Sequence, residues 1–148
     1  MAYSFLSNIT RSTFAFLVLA SAACAGDDGG TQCLPELPSD CTPDINTDFA
    51  TLHRSLFAQR CGTSGNACHG EAGRKGNLVL QGEEQAYKAL LGLDGTHARV
   101  SVGDPRCSLL MERLESDDPM KRMPYGENKL SEGMRCAVRK WIEDGAAR

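Results

Sequence analysis

An all-α fold follows from three features of this 148-residue sequence. Apolar residues recur at helical spacing in four separate stretches, most of them bounded by capping residues. No stretch alternates apolar and polar residues as a half-buried strand would, and no internal repeat occurs. The expected architecture is a small bundle of about four helices. Its loops should be long, because glycine is frequent at 15 residues, and its core mostly aliphatic, because aromatic content is 6%.

The first helix is expected to open at Thr47, as N-cap, with Asp48 in its first turn. Phe49, Leu52, Leu56 and Phe57 then fall on one face of a helix ending near Arg60. His53 lies beside that stripe and reads as a helix-surface residue. The segment Cys61-Gly-Thr-Ser-Gly-Asn-Ala-Cys68-His69-Gly70 follows as a loop. Residues 71–76 read as irregular and Asn77–Leu80 as a short apolar landing. The second helix runs from Glu83 to Leu91, buries Ala86, Tyr87, Leu90 and Leu91, and stops at Gly92.

After a loop over 93–103, Asp104-Pro105 offers an N-cap with proline at the first helical position. The third helix is expected from there to about Leu114, with Cys107, Leu110 and Leu114 on one face. Residues 117–128 form a polar loop containing Met120 and Met123-Pro124. Ser131 caps the last helix, Glu132 to Asp144, and Gly145 ends it. Its apolar face carries Met134, Ala137, Val138, Trp141 and Ile142.

The N-terminus has a separate logic. Residues 1–23 hold one charge, Arg11, then the apolar run Phe14–Ala20 and the small residues Ser21-Ala22-Ala23, the pattern of a secretory signal. A membrane-spanning helix needs ~20 apolar residues, more than this run supplies. Cys24 follows Leu19-Ala-Ser-Ala-Ala and resembles the lipid-modified cysteine of a bacterial lipoprotein, although Ser21 stands where that pattern usually has leucine. Ala23-Cys24-Ala25 also reads as an ordinary cleavage site that would release a soluble protein. Residues 24–46, rich in Gly, Asp, Pro and Ser, are expected to be a lipid-anchored flexible linker, and residues 47–148 the folded domain. The expected location is the periplasm or cell surface, on the inner or outer membrane.

Charge is nearly balanced, 16 basic against 19 acidic residues, with no basic run, so nucleic acid is not an expected partner. Seven cysteines suit an oxidising compartment. With Cys24 set aside, six remain and allow 15 pairings. The expected pairs are Cys33 with Cys41, closing a local loop, and Cys107 with Cys136, stapling the third helix to the last. Cys61 and Cys68 then share one fate, either a common ligand or a third disulfide. Zinc on Cys61, Cys68 and His69 is disfavoured, because adjacent Cys and His rarely share one ion. No Ser-His-Asp set, phosphate loop or paired-carboxylate motif points to an enzyme.

Cys68-His69-Gly70, Leu78 with Leu80, Gly103-Asp104-Pro105, Ser108-Leu109-Leu110, Met123-Pro124, Trp141-Ile142 and Gly145-Ala146 occur in that order. This order resembles the small c-type cytochrome domains of bacterial exported proteins over residues 47–146. That family usually spaces its haem-binding cysteines as C-x-x-C-H, whereas six residues separate Cys61 from Cys68 here. The resemblance implies haem c on Cys61 and Cys68, with His69 and Met123 as axial iron ligands. Met120 and His97 are the alternatives for the second ligand position. It implies a membrane-tethered monohaem carrier passing electrons to redox partner proteins. The competing expectation is a haem-free, disulfide-stapled lipoprotein that keeps the helices as a binding or structural module.

Overall fold

A computed structural model describes residues 33–62 and 68–148 of the chain. The expected signal segment 1–23, the anchor Cys24 and the start of the linker lie outside the described residues. The described residues are helical and contain no strand: α1 (Phe49–Leu52), α2 (Glu83–Leu91), α3 (Leu109–Glu115) and α4 (Glu132–Glu143). α1 continues as a π-helical stretch, His53–Gly62, and a single 3₁₀ turn spans Lys75–Asn77. No described helix is long and apolar enough to cross a membrane.

α1 begins one residue later than the sequence suggests. Asp48, rather than Thr47, is the cap, and its carboxylate accepts the Thr51 N–H at 2.8 Å. From there Phe49, Leu52, His53, Leu56 and Phe57 all turn inward. Phe49 is the hub: its ring centroid lies 5.3 Å from Trp141 on α4, 5.0 Å from Tyr87 on α2 and 6.0 Å from Phe57. One fully buried aromatic thus joins three helices, the kind of site where truncation is most costly.

His53 corrects the surface reading given to it. It is 8% exposed, and its Nε2 lies 3.2 Å from the Leu80 carbonyl. Because a carbonyl can only accept, Nε2 carries the proton, and the buried polar ring is satisfied.

α2 stops at Gly92, whose φ of 70° is the left-handed cap conformation, and α4 starts at Ser131, whose hydroxyl accepts the Met134 N–H. α3 departs from expectation. Asp104-Pro105 opens only a turn, in which the Asp104 carboxylate accepts the Cys107 N–H at 3.1 Å. The helix proper waits until Leu109. Ser108 separates the two: fully buried, it accepts the Ser101 N–H at 2.9 Å and donates back to the Asp104 carbonyl at 2.8 Å. That back-bonding competes with helix propagation.

The disulfides correct the expected pairing. Cys33 is joined to Cys107 and Cys41 to Cys136, so all four expected cysteines are cross-linked but with exchanged partners. The stretch expected as the C-terminal part of a flexible linker, residues 33–46, is therefore a strap laid over α4 and the turn before α3. Leu34 exchanges backbone and side-chain hydrogen bonds with Arg106. Arg139, 4% exposed, donates to the Pro38 carbonyl and to Cys41 Sγ. Asp44 bonds the Gly133 carbonyl through its N–H and the Ser131 hydroxyl through its carboxylate. Leu34, Leu37 and Ile45 pack against the core, which the absence of periodicity had hidden.

Candidate functional site

His69 is held from three sides. Its N–H donates to the Cys61 carbonyl at 3.0 Å, and its own carbonyl accepts the Leu80 N–H at 2.7 Å. Its ring Nδ1 lies 2.9 Å from the Lys75 carbonyl. The carbonyl has no proton to give, so Nδ1 carries the hydrogen and Nε2 keeps the lone pair. The ring is half-buried. Burial lowers its pKa below the usual histidine value; the Lys75 and Leu78 carbonyls pull the other way, and the nearby Arg99 charge adds to the lowering. A neutral imidazole with a fixed tautomer is the form that binds a metal.

Two close backbone approaches set this geometry. A Cβ at Gly62 would lie 2.8 Å from the Leu80 carbonyl oxygen, and one at Gly70 would lie 2.6 Å from the Gly62 carbonyl oxygen. Both obstacles are backbone and cannot rotate away. Gly70→Ala is expected to lower stability by about 1–3 kcal/mol through overpacking. The check is a shift in the denaturant midpoint without change in slope, together with loss of any ligand that depends on His69.

Cys61 and Cys68 are thiols flanking this clamp, both half-buried. Burial pushes the Cys61 thiol up to about 12, and the neighbouring Cys68 sulfur adds to the rise. The segment 63–67 between them lies outside the described residues. Among the described residues no three His, Cys, Asp or Glu side chains cluster to hold a metal ion.

Met123 sits in the loop after α3, its N–H bonded to the Arg113 carbonyl at 2.9 Å and its side chain packed against the core. Cys61 packs against the same core cluster. Arg60 and Glu127 form an ion pair at 2.8 Å that joins the end of the π-helical stretch to the Met123 loop. Both partners are about half exposed, so the pair contributes roughly 0.2–1 kcal/mol. Between these elements opens a cavity of about 510 Å³ lined by Arg60, Arg122, Glu127, Asn128 and Lys129 among others. The lining is polar, next in sequence to Cys61 and Met123, and does not include His69.

The remaining candidates fall elsewhere. Met120 is 70% exposed, with the Tyr125 hydroxyl 3.7 Å from its sulfur. His97 is exposed, Met111 is fully buried in the core, and Met134 packs against it from α4.

Residues 66–125 match the family model described as Planctomycete cytochrome C. No curated protein and no solved structure matches the chain. The cytochrome c-like segment takes in Cys68-His69-Gly70, the Leu78–Leu80 landing, α2, α3 and Met123-Pro124, and begins after Cys61. The donor chemistry within and beside it fits a haem of c type: an imidazole with Nδ1 engaged and Nε2 bearing the lone pair, two thiols beside it, and a thioether on a separate loop.

One residue of this site escaped sequence reading. Arg99, in the expected loop 93–103, is 8% exposed and bonds the Gly76 carbonyl at 2.7 Å, one residue from the carbonyl that holds His69. Its position carries no motif; the one signal is a helical stop at Gly92 followed by a return toward the core at Val100.

Proposed function

We propose that this chain is an exported, membrane-tethered monohaem c-type cytochrome-like protein that carries electrons outside the cytoplasm. The observation that carries this reading is the 2.9 Å contact of His69 Nδ1 with the Lys75 carbonyl, which directs Nε2 away as the ligating atom, directly beside Cys68 and inside the stretch similar to a cytochrome c. His69 would ligate iron through Nε2 and Met123 through its sulfur, with Cys61 and Cys68 as the thioether positions. Haem c supplies reversible one-electron chemistry when bound, and His/Met ligation raises its reduction potential. With His69 and Met123 both holding the iron, no ligand position would be left for a substrate, which favours a carrier over a catalyst. Leu78, Leu80 and Trp141 are all buried in the one core cluster and would keep water from the interior side of a bound group.

The strap from Cys33 to Asn46 bears on the tether. Disulfides at Cys33 and Cys41 fix the domain end of the chain segment that follows Cys24. Acylation at Cys24 with more than one chain would then give stable anchoring. Its partners would be other redox proteins at the same membrane.

The test is a visible spectrum of the full chain exported from a host that matures c-type haem. A Soret band, with a haem-bearing peptide containing Cys68 and an acylated N-terminal peptide at Cys24, is the expected result. A colourless protein with a mapped Cys61–Cys68 disulfide would replace this reading with the haem-free stapled module.

A further inference from the structure

The backbone of Arg99 is fixed at both ends: its N–H donates to the Leu90 carbonyl at 2.8 Å, and its carbonyl accepts the Leu110 N–H at 2.9 Å. It therefore stands as a post between the end of α2 and the start of α3. From that post the guanidinium reaches into the turn that follows His69. Nη2 lies 2.7 Å from the Gly76 carbonyl and 3.5 Å from that of Asn77. Nη1 lies 2.9 Å from the Thr96 hydroxyl and also donates to the His97 carbonyl. Asp94 secures Thr96 in turn, accepting its N–H at 3.0 Å and its hydroxyl at 2.6 Å.

Two facts make this arrangement unusual. A side chain 8% exposed carries a full positive charge, and among the described residues no carboxylate lies within ion-pair distance of it. Direct contacts to the charge come from carbonyl and hydroxyl dipoles, with the Asp94 carboxylate one hydrogen bond further out through Thr96, an arrangement that has a desolvation cost. The turn it grips is itself costly, since Arg74, Gly76 and Asn77 have φ of 44°, 64° and 53°. Left-handed backbone at Arg74 persists only where surroundings enforce it, whereas Asn77 adopts it more readily. Lys75, inside that turn, supplies the carbonyl that orients the His69 ring.

We infer that Arg99 is a positioning residue for His69, acting through the Lys75–Asn77 turn, and that its buried charge sets the potential of a group ligated by that imidazole. The planar fork ties two turns together, Nη2 on the Gly76 and Asn77 carbonyls and Nη1 on Thr96 and His97, which an ammonium cannot do with the same geometry. A fixed positive charge in a poorly screened interior disfavours the more positive, oxidised state of a nearby redox centre. The potential part of the inference rests on the electron-carrier reading; the positioning part does not.

The experiment uses the full chain with Arg99→Lys and Arg99→Met. In haem-free protein, nitrogen NMR of the His69 ring should show a single Nδ1–H tautomer in the parent and a mixture in both variants. In haem-loaded protein, Arg99→Met should lower the equilibrium constant for reduction at least tenfold, about 59 mV for one electron. Arg99→Lys, which keeps the charge, should stay within about twofold. If Arg99→Met fails to fold, the lysine variant alone decides: an unchanged tautomer overturns the positioning role. An unchanged potential in a folded, haem-loaded Arg99→Met overturns the electrostatic role. A parent chain that takes up no haem refutes the carrier reading instead and leaves the tautomer comparison standing.

Discussion

Replacing Cys41 and Cys136 together by alanine is expected to lower the free energy of unfolding by about 4 kcal/mol in denaturant titration. The bridge spans 95 residues of sequence, and with Cys33–Cys107 still closed it adds a loop of roughly 40 residues, whose closure entropy returns to the unfolded chain when it is cut. A domain of this size has roughly 5–15 kcal/mol in total, so the loss takes a large share. The slope of the denaturant dependence should rise at the same time, because an uncross-linked unfolded chain exposes more surface. The strap will still be held at Cys33–Cys107 and by the Asp44 contacts to Gly133 and Ser131. Peptide mapping should therefore find Cys33 and Cys107 still joined. Recovery of a Cys33–Cys41 or Cys107–Cys136 peptide from the parent protein would sink this account, since the double replacement would then break two bridges and not one.

The pairing was not readable in the sequence because it is a tertiary fact. Composition marked residues 33–46 as linker, and Leu34, Leu37 and Ile45 are too sparse to show a period. Only the folded domain supplies what they pack against. The start of α3 was missed for a local reason: Asp104-Pro105 is a genuine cap, but the Ser108 hydroxyl spends itself on neighbouring backbone and ends the turn it begins. His53 was legible and misread. It occupies the i+4 place in the row Phe49, Leu52, His53, Leu56, Phe57, so its burial follows from helix geometry once polarity is set aside. Where capping chemistry and periodicity agree, as at Gly92 and Ser131, sequence and structure coincide. At the site, Cys68-His69 announces itself as a contiguous motif. Arg99 does not, because an arginine in a loop ordinarily faces solvent, and its inward turn depends on carbonyls more than twenty residues upstream.

In the haem-bearing, exported form proposed above, replacing His69 by alanine is expected to remove the low-spin spectrum while leaving the helical content unchanged. The fold should survive because the clamp on residue 69 is made by backbone: the N–H to Cys61 and the carbonyl from Leu80 need no side chain. Only the ring contact to the Lys75 carbonyl is lost, and that carbonyl, on an exposed residue, can turn to water. The spectral loss should be at least tenfold in bound chromophore. Met123→Ala should differ in kind, retaining colour through the thioether and His69 but shifting to a high-spin spectrum with lowered potential. Met120→Ala, on an exposed side chain, should leave both unchanged. Each variant thus tests one face of the iron, and the comparison separates the two ligands from each other. A His69→Ala protein that keeps the parent spectrum would place the iron elsewhere; a Met123→Ala protein that keeps it would return the second ligand position to Met120 or His97.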